Sequence, residues 1–254
     1  MNIWIVSGTD TGVGKTVVTA GITAAAAAHG YRVGVLKPAE SGIGPDSGVP
    51  TDIEVVLRLS LPATAQTMVS YPDALAPLAA AEEAGAVPLS IGDVIEAVRL
   101  GAAEHDVYLV EGAGGLLVPM GEGGWTIADL AVALRCPVVV VCRADLGTLN
   151  HTALVLEALG HRGVAASVVV GAWPDQPELV HWRNLTDLPG DLDGVVPSGV
   201  GRWTPDRFRG VAPGWFTPRL YGRADPGRLR RDGVPGPPPP WPQDSFPPVS
   251  YPPR

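Results

Sequence analysis

The sequence predicts an α/β fold: a doubly wound, mostly parallel sheet with helices on both faces. Two observations carry this. Several apolar runs are continuous in Val and Ile rather than alternating with polar residues, as in strands covered on both faces. Between them lie alanine-rich segments of helical length, and β and α segments in alternation imply parallel strands joined by crossover helices.

The elements follow in order. "NIWIVS" (2–7) is the first strand and leads through "GTDTGVGKT" (8–16) into "KTVVTAGITAAAAAHG", a helix that Gly30 should stop. "RVGVLKP" (32–38) is the second strand, with Lys37 at its end, and "VPTDIEVV" opens a helix at Asp52 after a Gly/Pro-rich loop. "SIGDVIEAVRLGAAEH" is the helix before the third strand, "DVYLVEG" (106–112), and "TIADLAVALR" is the helix before the fourth, "PVVVVCR" (137–143). Cys136 and Cys142 bracket that run and read as buried apolar residues, not as a disulfide or metal pair. "LNHTALVLEALGHRG" follows, with Gly163 as its stop, and "ASVVVGA" (166–172) is the fifth strand. These define a domain over residues 1–225. Eleven of the chain's 27 prolines fall in 226–254. That composition supplies neither sheet donors nor helix turns, so 226–254 reads as an extended, disordered tail.

A chain of 254 residues with 46% hydrophobic content can bury one sizeable core. Its formal charge of −8 argues against nucleic acid or an anionic membrane surface as partner. The N-terminus runs straight into a strand without a charged leader, and no apolar stretch reaches membrane length, so a cytoplasmic protein is expected. Lysine is scarce: sixteen arginines accompany only Lys15 and Lys37. Under a coding bias toward arginine, lysine should persist where a planar guanidinium cannot replace a compact ammonium. One lysine sits in the glycine-rich turn and the other ends the next strand.

Ligands of such sheets bind at the carboxyl ends of the strands. At the first, Gly14-Lys15-Thr16 closes a phosphate-binding loop, although its first glycine, Gly8, stands one residue earlier than usual. Backbone N–H groups there and the helix N-terminus suit an anion, Lys15 can reach the outer phosphates, and the Thr16 hydroxyl can ligate Mg²⁺. Lys37 leaves the second strand beside this loop, with Ser41 and Gly42 offering a hydroxyl and a bare backbone. The third strand ends in "VEGAGG", whose Glu111 is placed to face Mg²⁺. Asp52 reads as an ordinary helix-start acid, and Asn150 and His151 as helix-opening residues. His29, His105, His161 and His181 are scattered without metal-ligand spacing, and no Ser-His-Asp arrangement stands out.

Together "GTDTGVGKT", "KPAESG", "VEGAGGLLVP" and "DLGTLNH" resemble the dethiobiotin synthetase family, and the likeness covers roughly residues 1–222. The longer glycine-rich loop is that family's form. The resemblance implies a homodimeric P-loop NTPase-type domain that uses 7,8-diaminononanoate, CO2 or bicarbonate, Mg²⁺ and ATP or another nucleoside triphosphate. One amine becomes a carbamate, the γ-phosphate passes to it, and the second amine closes the ureido ring with loss of phosphate. The resemblance also implies roles. Gly12, Val13, Gly14, Lys15, Thr16 and Val17 hold the phosphates, and Lys37 with Lys15 is catalytic. Thr16, Asp52 and Glu111 hold Mg²⁺. Thr11 and Ser41 contact the diamino acid, and Asn150 of the second subunit holds its carboxylate. Glu111, Gly112, Ala113 and Gly114 line the nucleotide.

Three features depart from the pattern. The tail after about Gly222 has no counterpart in the family. Gly12 stands where some members carry an acid. The loop after the fifth strand, "GAWPDQP", lacks an adenine-reading Asn, leaving the backbone of Gly171 and Ala172, with Pro197, Ser198 and Gly199, to contact the base. Two rival readings share the broader fold. A partitioning or septum-positioning ATPase would carry a lysine where Asp10 stands and a glycine where Thr11 stands. A cobyrinate-type amide synthetase would need a glutaminase cysteine, and neither Cys136 nor Cys142 is so placed.

Overall fold

Seven parallel strands form one sheet in the order β3-β2-β4-β1-β5-β6-β7, in a computed structural model that describes residues 2–44 and 48–233. In chain order the elements are β1 (Asn2–Gly8), α1 (Lys15–Ala27), β2 (Val33–Ser41), α2 (Asp52–Ser60), β3 (Thr64–Tyr71), α3 (Pro77–Glu83), α4 (Ile91–Ala103) and β4 (Val107–Glu111). Then come α5 (Ile127–Leu134), β5 (Val138–Cys142), α6 (Thr148–Gly160), β6 (Ala166–Trp173), α7 (Leu179–Asp187), β7 (Leu192–Pro197), α8 (Pro205–Val211) and α9 (Pro226–Asp232).

The valine runs are continuous because each strand feeds two cores. Val139 and Val141 of β5 pack with Val18 and Ile22 of α1 and with Phe208 and Trp215, whereas Val138 and Val140 pack with Val94 and Val98 of α4 and Leu130 of α5. Cys136 and Cys142 are buried free thiols, as expected. A third cluster at the β6–β7 edge joins Val168, Leu185, Leu188, Val195 and Leu229.

The sheet has two strands more than the five read from sequence. β3, "TAQTMVSY", is an edge strand, mostly exposed or half-buried, and its polar residues hide it from a search for apolar runs. β7, "LDGVVP", carries Asp193 and Gly194; Asp193 receives the Thr217 hydroxyl at 2.6 Å, and a Cβ on Gly194 would lie 2.6 Å from the Phe216 ring.

Two further expectations are corrected. Lys37 does not end its strand. β2 loses its β4 partner after Leu36↔Val110 but stays paired to β3 as far as Ser41↔Tyr71, which carries it four residues further. Pro38 fits where one side of the strand has lost its neighbour. Alternation breaks at this proline: Leu36 and Ala39 both enter the same core, while Lys37 and Glu40 both reach Asp52. The domain also runs beyond residue 225. Asp225 accepts the Arg228 N–H at 2.8 Å, Pro226 starts α9, Leu229 is buried, and the Arg230 guanidinium donates to the carbonyls of Thr186, Leu188 and Gly190 at 3.2, 2.9 and 2.9 Å. A proline is at home in the first helical turn, so proline density misplaced the boundary. The rest of the proline-rich segment, 234–254, lies outside the described residues.

Candidate active site

The glycine-rich loop leaves β1 at the centre of the sheet and ends at Gly14, which caps α1 at φ 98°, with Gly12 at φ 72°. A Cβ on Gly8 would lie 2.7 Å from the Val13 side chain and 3.0 Å from Asp10 O, so the early glycine is where the longer loop folds back on itself. Asp10 pins that extra length: its carboxylate accepts the Thr11 N–H at 2.7 Å and the Arg143 guanidinium at 3.0 Å, and Arg143 also donates to Thr11 O at 3.0 Å. Lys15 Nζ donates to Asp10 O (3.1 Å) and Gly114 O (2.8 Å), tying the loop to the segment after β4. Burial first, and then neighbouring Lys37, lower the Lys15 pKa to about 8. The start of α1 thus presents main-chain N–H groups and an ammonium at one end of the helix, an anion site.

Lys37 is 2% exposed and is the hub of the cluster. Its ammonium lies 2.5 Å from Asp52 Oδ2, 3.0 Å from Glu111 Oε1 and 3.0 Å from Gly112 O. Burial alone would lower its pKa, but the Glu111 and Asp52 carboxylates outweigh it and hold the lysine charged, above the usual lysine range. Asp52 is held below the ordinary carboxylate range: burial opposes this, and Lys37 prevails. The Thr16 hydroxyl lies 2.6 Å from Asp52 Oδ1 and 2.9 Å from Glu111 Oε1. Thr51 caps α2 in a reciprocal box with Glu54, leaving Asp52 as the first residue of the helix.

Two carboxylates and a hydroxyl within hydrogen-bond reach are hard oxygen donors that fit Mg²⁺, which retains waters and substrate phosphate oxygens in its shell. Among the described residues no group of three or more His, Cys, Asp or Glu side chains is arranged to hold a metal ion.

The side of the loop that faces β6 is built from backbone. A Cβ on Gly14 would lie 2.7 Å from Gly171 O and one on Gly171 would lie 2.0 Å from Val13 O, so the loop rests directly on the end of β6. Ser198 N donates to Trp173 O at 2.7 Å, Gly199 turns the chain at φ 73°, and Gly201 approaches the Val17 side chain. The side chain of Trp173 itself is buried against Trp182 and His181, with centroids 5.0 and 6.2 Å away, leaving backbone at this edge.

The structure therefore brings Lys15, Thr16, Lys37, Asp52, Glu111, Gly112 and Gly114 into one network, with Gly171 against it. Thr11 is exposed at the loop's outer turn, and the Ser41 hydroxyl donates to Leu75 O at 2.7 Å. Asn150 stands on the exposed first turn of α6 and is not hydrogen-bonded to the lysine cluster among the described residues. Sequence reasoning missed Glu40 and Arg143. Glu40, in "KPAESG", is 6% exposed and accepts the Asp52 N–H at 2.6 Å; burial raises its pKa. A charged residue inside an otherwise apolar strand was its signal. Arg143 ends the valine run of β5, and only its position next to the loop in space gives it meaning.

A family model described as an AAA domain matches residues 3–189. The protein named ATP-dependent dethiobiotin synthetase BioD in Rhodococcus jostii (strain RHA1) is 48% identical over 85% of this chain and 95% of its own length. Its namesakes in Streptomyces avermitilis and Saccharopolyspora erythraea are 46% and 48% identical, over 89% and 88% of this chain and 96% and 99% of their own lengths. Among solved structures, the MinC:MinD cell division protein complex of Aquifex aeolicus is 16% identical at a TM-score of 0.48, covering 84% of this chain and 86% of that one, too distant to bear on function.

Proposed function

We propose a division of labour among the residues of this chain, which belongs to the ATP-dependent dethiobiotin synthetase family and carries out its ATP-dependent ring closure. The substrates are 7,8-diaminononanoate, CO2 and ATP, and the products dethiobiotin, ADP and phosphate.

The observation that carries the assignment is the Lys37 ammonium, fixed at 2.5 Å and 3.0 Å between two carboxylates beside Lys15 and Thr16. A lysine kept charged in a buried site is suited to stabilising an anion that forms there. Lys37 holds the carbamate made from one substrate amine and CO2, and stays protonated throughout. Lys15 and the N–H groups of Gly12–Val17 hold the β- and γ-phosphates. The γ-phosphoryl group passes to a carbamate oxygen as the bond to ADP breaks, and both lysines offset the charge in flight. The second amine then attacks the carbonyl carbon, its proton leaves, and phosphate departs as the C–O bond breaks. Thr16, Asp52 and Glu111 would hold Mg²⁺, which when bound offsets charge on the phosphate oxygens. Glu111–Gly114, Gly171–Ala172 and Pro197–Gly199 line the nucleotide, mostly with backbone. Thr11 and Ser41 contact the diamino acid.

The same reading makes the protein a cytoplasmic homodimer in which Asn150 of one subunit completes the other's substrate site. Leu146, in the turn before α6, and Leu154, one turn after Asn150 on α6, support this, being 87% and 56% exposed. Unpartnered leucines around a polar residue suit an interface with a second copy. Among the described residues no helix is long and apolar enough to cross a membrane.

The test is phosphate release from ATP with Mg²⁺ and bicarbonate, with and without 7,8-diaminononanoate, and mass spectrometry of the product. Release that requires the diamine and yields dethiobiotin supports the reading. Hydrolysis indifferent to the diamine rejects it.

A further inference from the structure

Asp52 is held from two directions, and only one of them belongs to the network described above. Its carboxylate meets Lys37 and Thr16, whereas its backbone N–H donates to Glu40 Oε1 at 2.6 Å. The first N–H groups of a helix have no partner within it. In α2 the capping box satisfies Glu54 N through Thr51, which leaves the Asp52 N–H to Glu40. Glu40 and Lys37 lie three residues apart on β2 and both reach Asp52 because the strand loses its alternation at Pro38. Glu40 Oε2 is buried and has no hydrogen-bond partner among the described residues. Burying a half-satisfied carboxylate is costly, and a neutral acceptor would cap the helix as well.

We propose that Glu40 is a positioning residue for the divalent-cation site: by accepting the N–H of the first residue of α2, it fixes the Asp52 carboxylate against Thr16 and Lys37. This rests on the reading that Thr16, Asp52 and Glu111 hold the cation. Glu40 needs no contact with the ion. What counts is the reach of its side chain and an oxygen at its end.

Two conservative variants separate reach from charge. Glu40→Gln keeps length and an acceptor oxygen but loses the charge; Glu40→Asp keeps the charge but is one methylene too short to meet Asp52 N. Mg²⁺ is titrated by calorimetry into each full-length protein carrying a non-hydrolysable ATP analogue, with Asp52→Ala as reference and thermal melting alongside. The expected result is Mg²⁺ affinity within threefold of wild type for Glu40→Gln and a loss of about tenfold or more for Glu40→Asp, the range seen when partners of metal ligands are altered. Affinity for the analogue in EDTA should stay unchanged in both. Unchanged Mg²⁺ affinity in Asp52→Ala would overturn the cation site itself. Weak binding in Asp52→Ala together with wild-type binding in Glu40→Asp would overturn the positioning role alone. A loss confined to Glu40→Gln would show that charge, not placement, is what Glu40 supplies, and would overturn it too.

Discussion

Replacing Gly171 with alanine changes no functional side chain and should nevertheless disable the nucleotide site. The new Cβ would lie 2.0 Å from Val13 O, 3.1 Å from Val13 C and 2.6 Å from Val141 Cγ1. Val141 is fully buried and cannot swing aside, and the nearest atom is backbone. Relief requires the loop and β6 to part by about 1 Å, and overpacking of this kind costs about 1–3 kcal/mol. In a domain of this size that lowers the melting temperature by several degrees. The larger effect is on binding: the displaced segment carries the N–H groups proposed to hold the phosphates, and a misplacement of about 1 Å can reduce kcat/KM by about 100-fold. Calorimetric titration of an ATP analogue with Mg²⁺, followed by diamine-dependent phosphate release, measures both. Gly160→Ala is the control, because nothing lies within 4 Å of its added Cβ and helix propensity favours the change. Nucleotide affinity in Gly171→Ala within twofold of wild type would refute the idea that β6 sets the loop.

Other expectations concern the lysines and the C-terminal helix. Lys37→Gln should reduce dethiobiotin formation by at least about 100-fold, as for loss of a charge-stabilising donor, while retaining ATP-analogue binding through Lys15; normal turnover would remove Lys37 from the mechanism. The same variant leaves Asp52 and Glu111 facing each other without a buried cation, which costs about 3–5 kcal/mol and should be visible as a lower melting temperature. Because the Lys15 pKa is lowered to about 8 by burial and then by Lys37, its ammonium is complete below that pH and is lost as pH rises through it. ATP-analogue affinity should accordingly fall between pH 7 and 9.5, with proton uptake on binding near pH 8.5; a flat profile would contradict the lowered value. Truncation after Gly233 should leave melting temperature and activity intact. Truncation after Ala224 removes α9 with Leu229, 2% exposed, at a cost of at least about 2 kcal/mol; equal melting of the two truncations would show that α9 adds nothing.

What the sequence revealed about this protein follows from the reach of each interaction along the chain. The glycine-rich loop is local: strand, turn and helix N-terminus lie within fifteen residues, and β1 and α1 stand where the sequence put them. Lys37 was conspicuous because lysine is rare here, although its burial inside β2 depends on pairing with β3, an edge strand too polar to stand out as an apolar run. Asp52 looked like a helix-start acid, and it is one. Its further meaning comes from Lys37, Thr16 and Glu40, which other parts of the chain deliver. Glu40 escaped because strand alternation would turn it away from Lys37, and only the irregularity at Pro38 turns it back. α9 was lost to proline density, though a proline in a first helical turn is unexceptional.

The placement of the network on the sheet has a consequence for how such an enzyme can change over generations. Every charged side chain that grips Asp52 or faces Lys37 comes from the P-loop helix, β2, β4 or the start of α2, on one flank of β1. The opposite flank meets the loop through main chain at the end of β6, where Gly171 rests against Val13 and Gly14. A contact of this kind holds Gly171 to glycine but sets no such limit on the exposed Ala172 beside it. With the base held at Ala172 and Pro197–Gly199 as proposed, choice of nucleobase can drift on that flank while the reaction on the first remains under strict constraint, so two traits of one catalyst are free to evolve at different tempos.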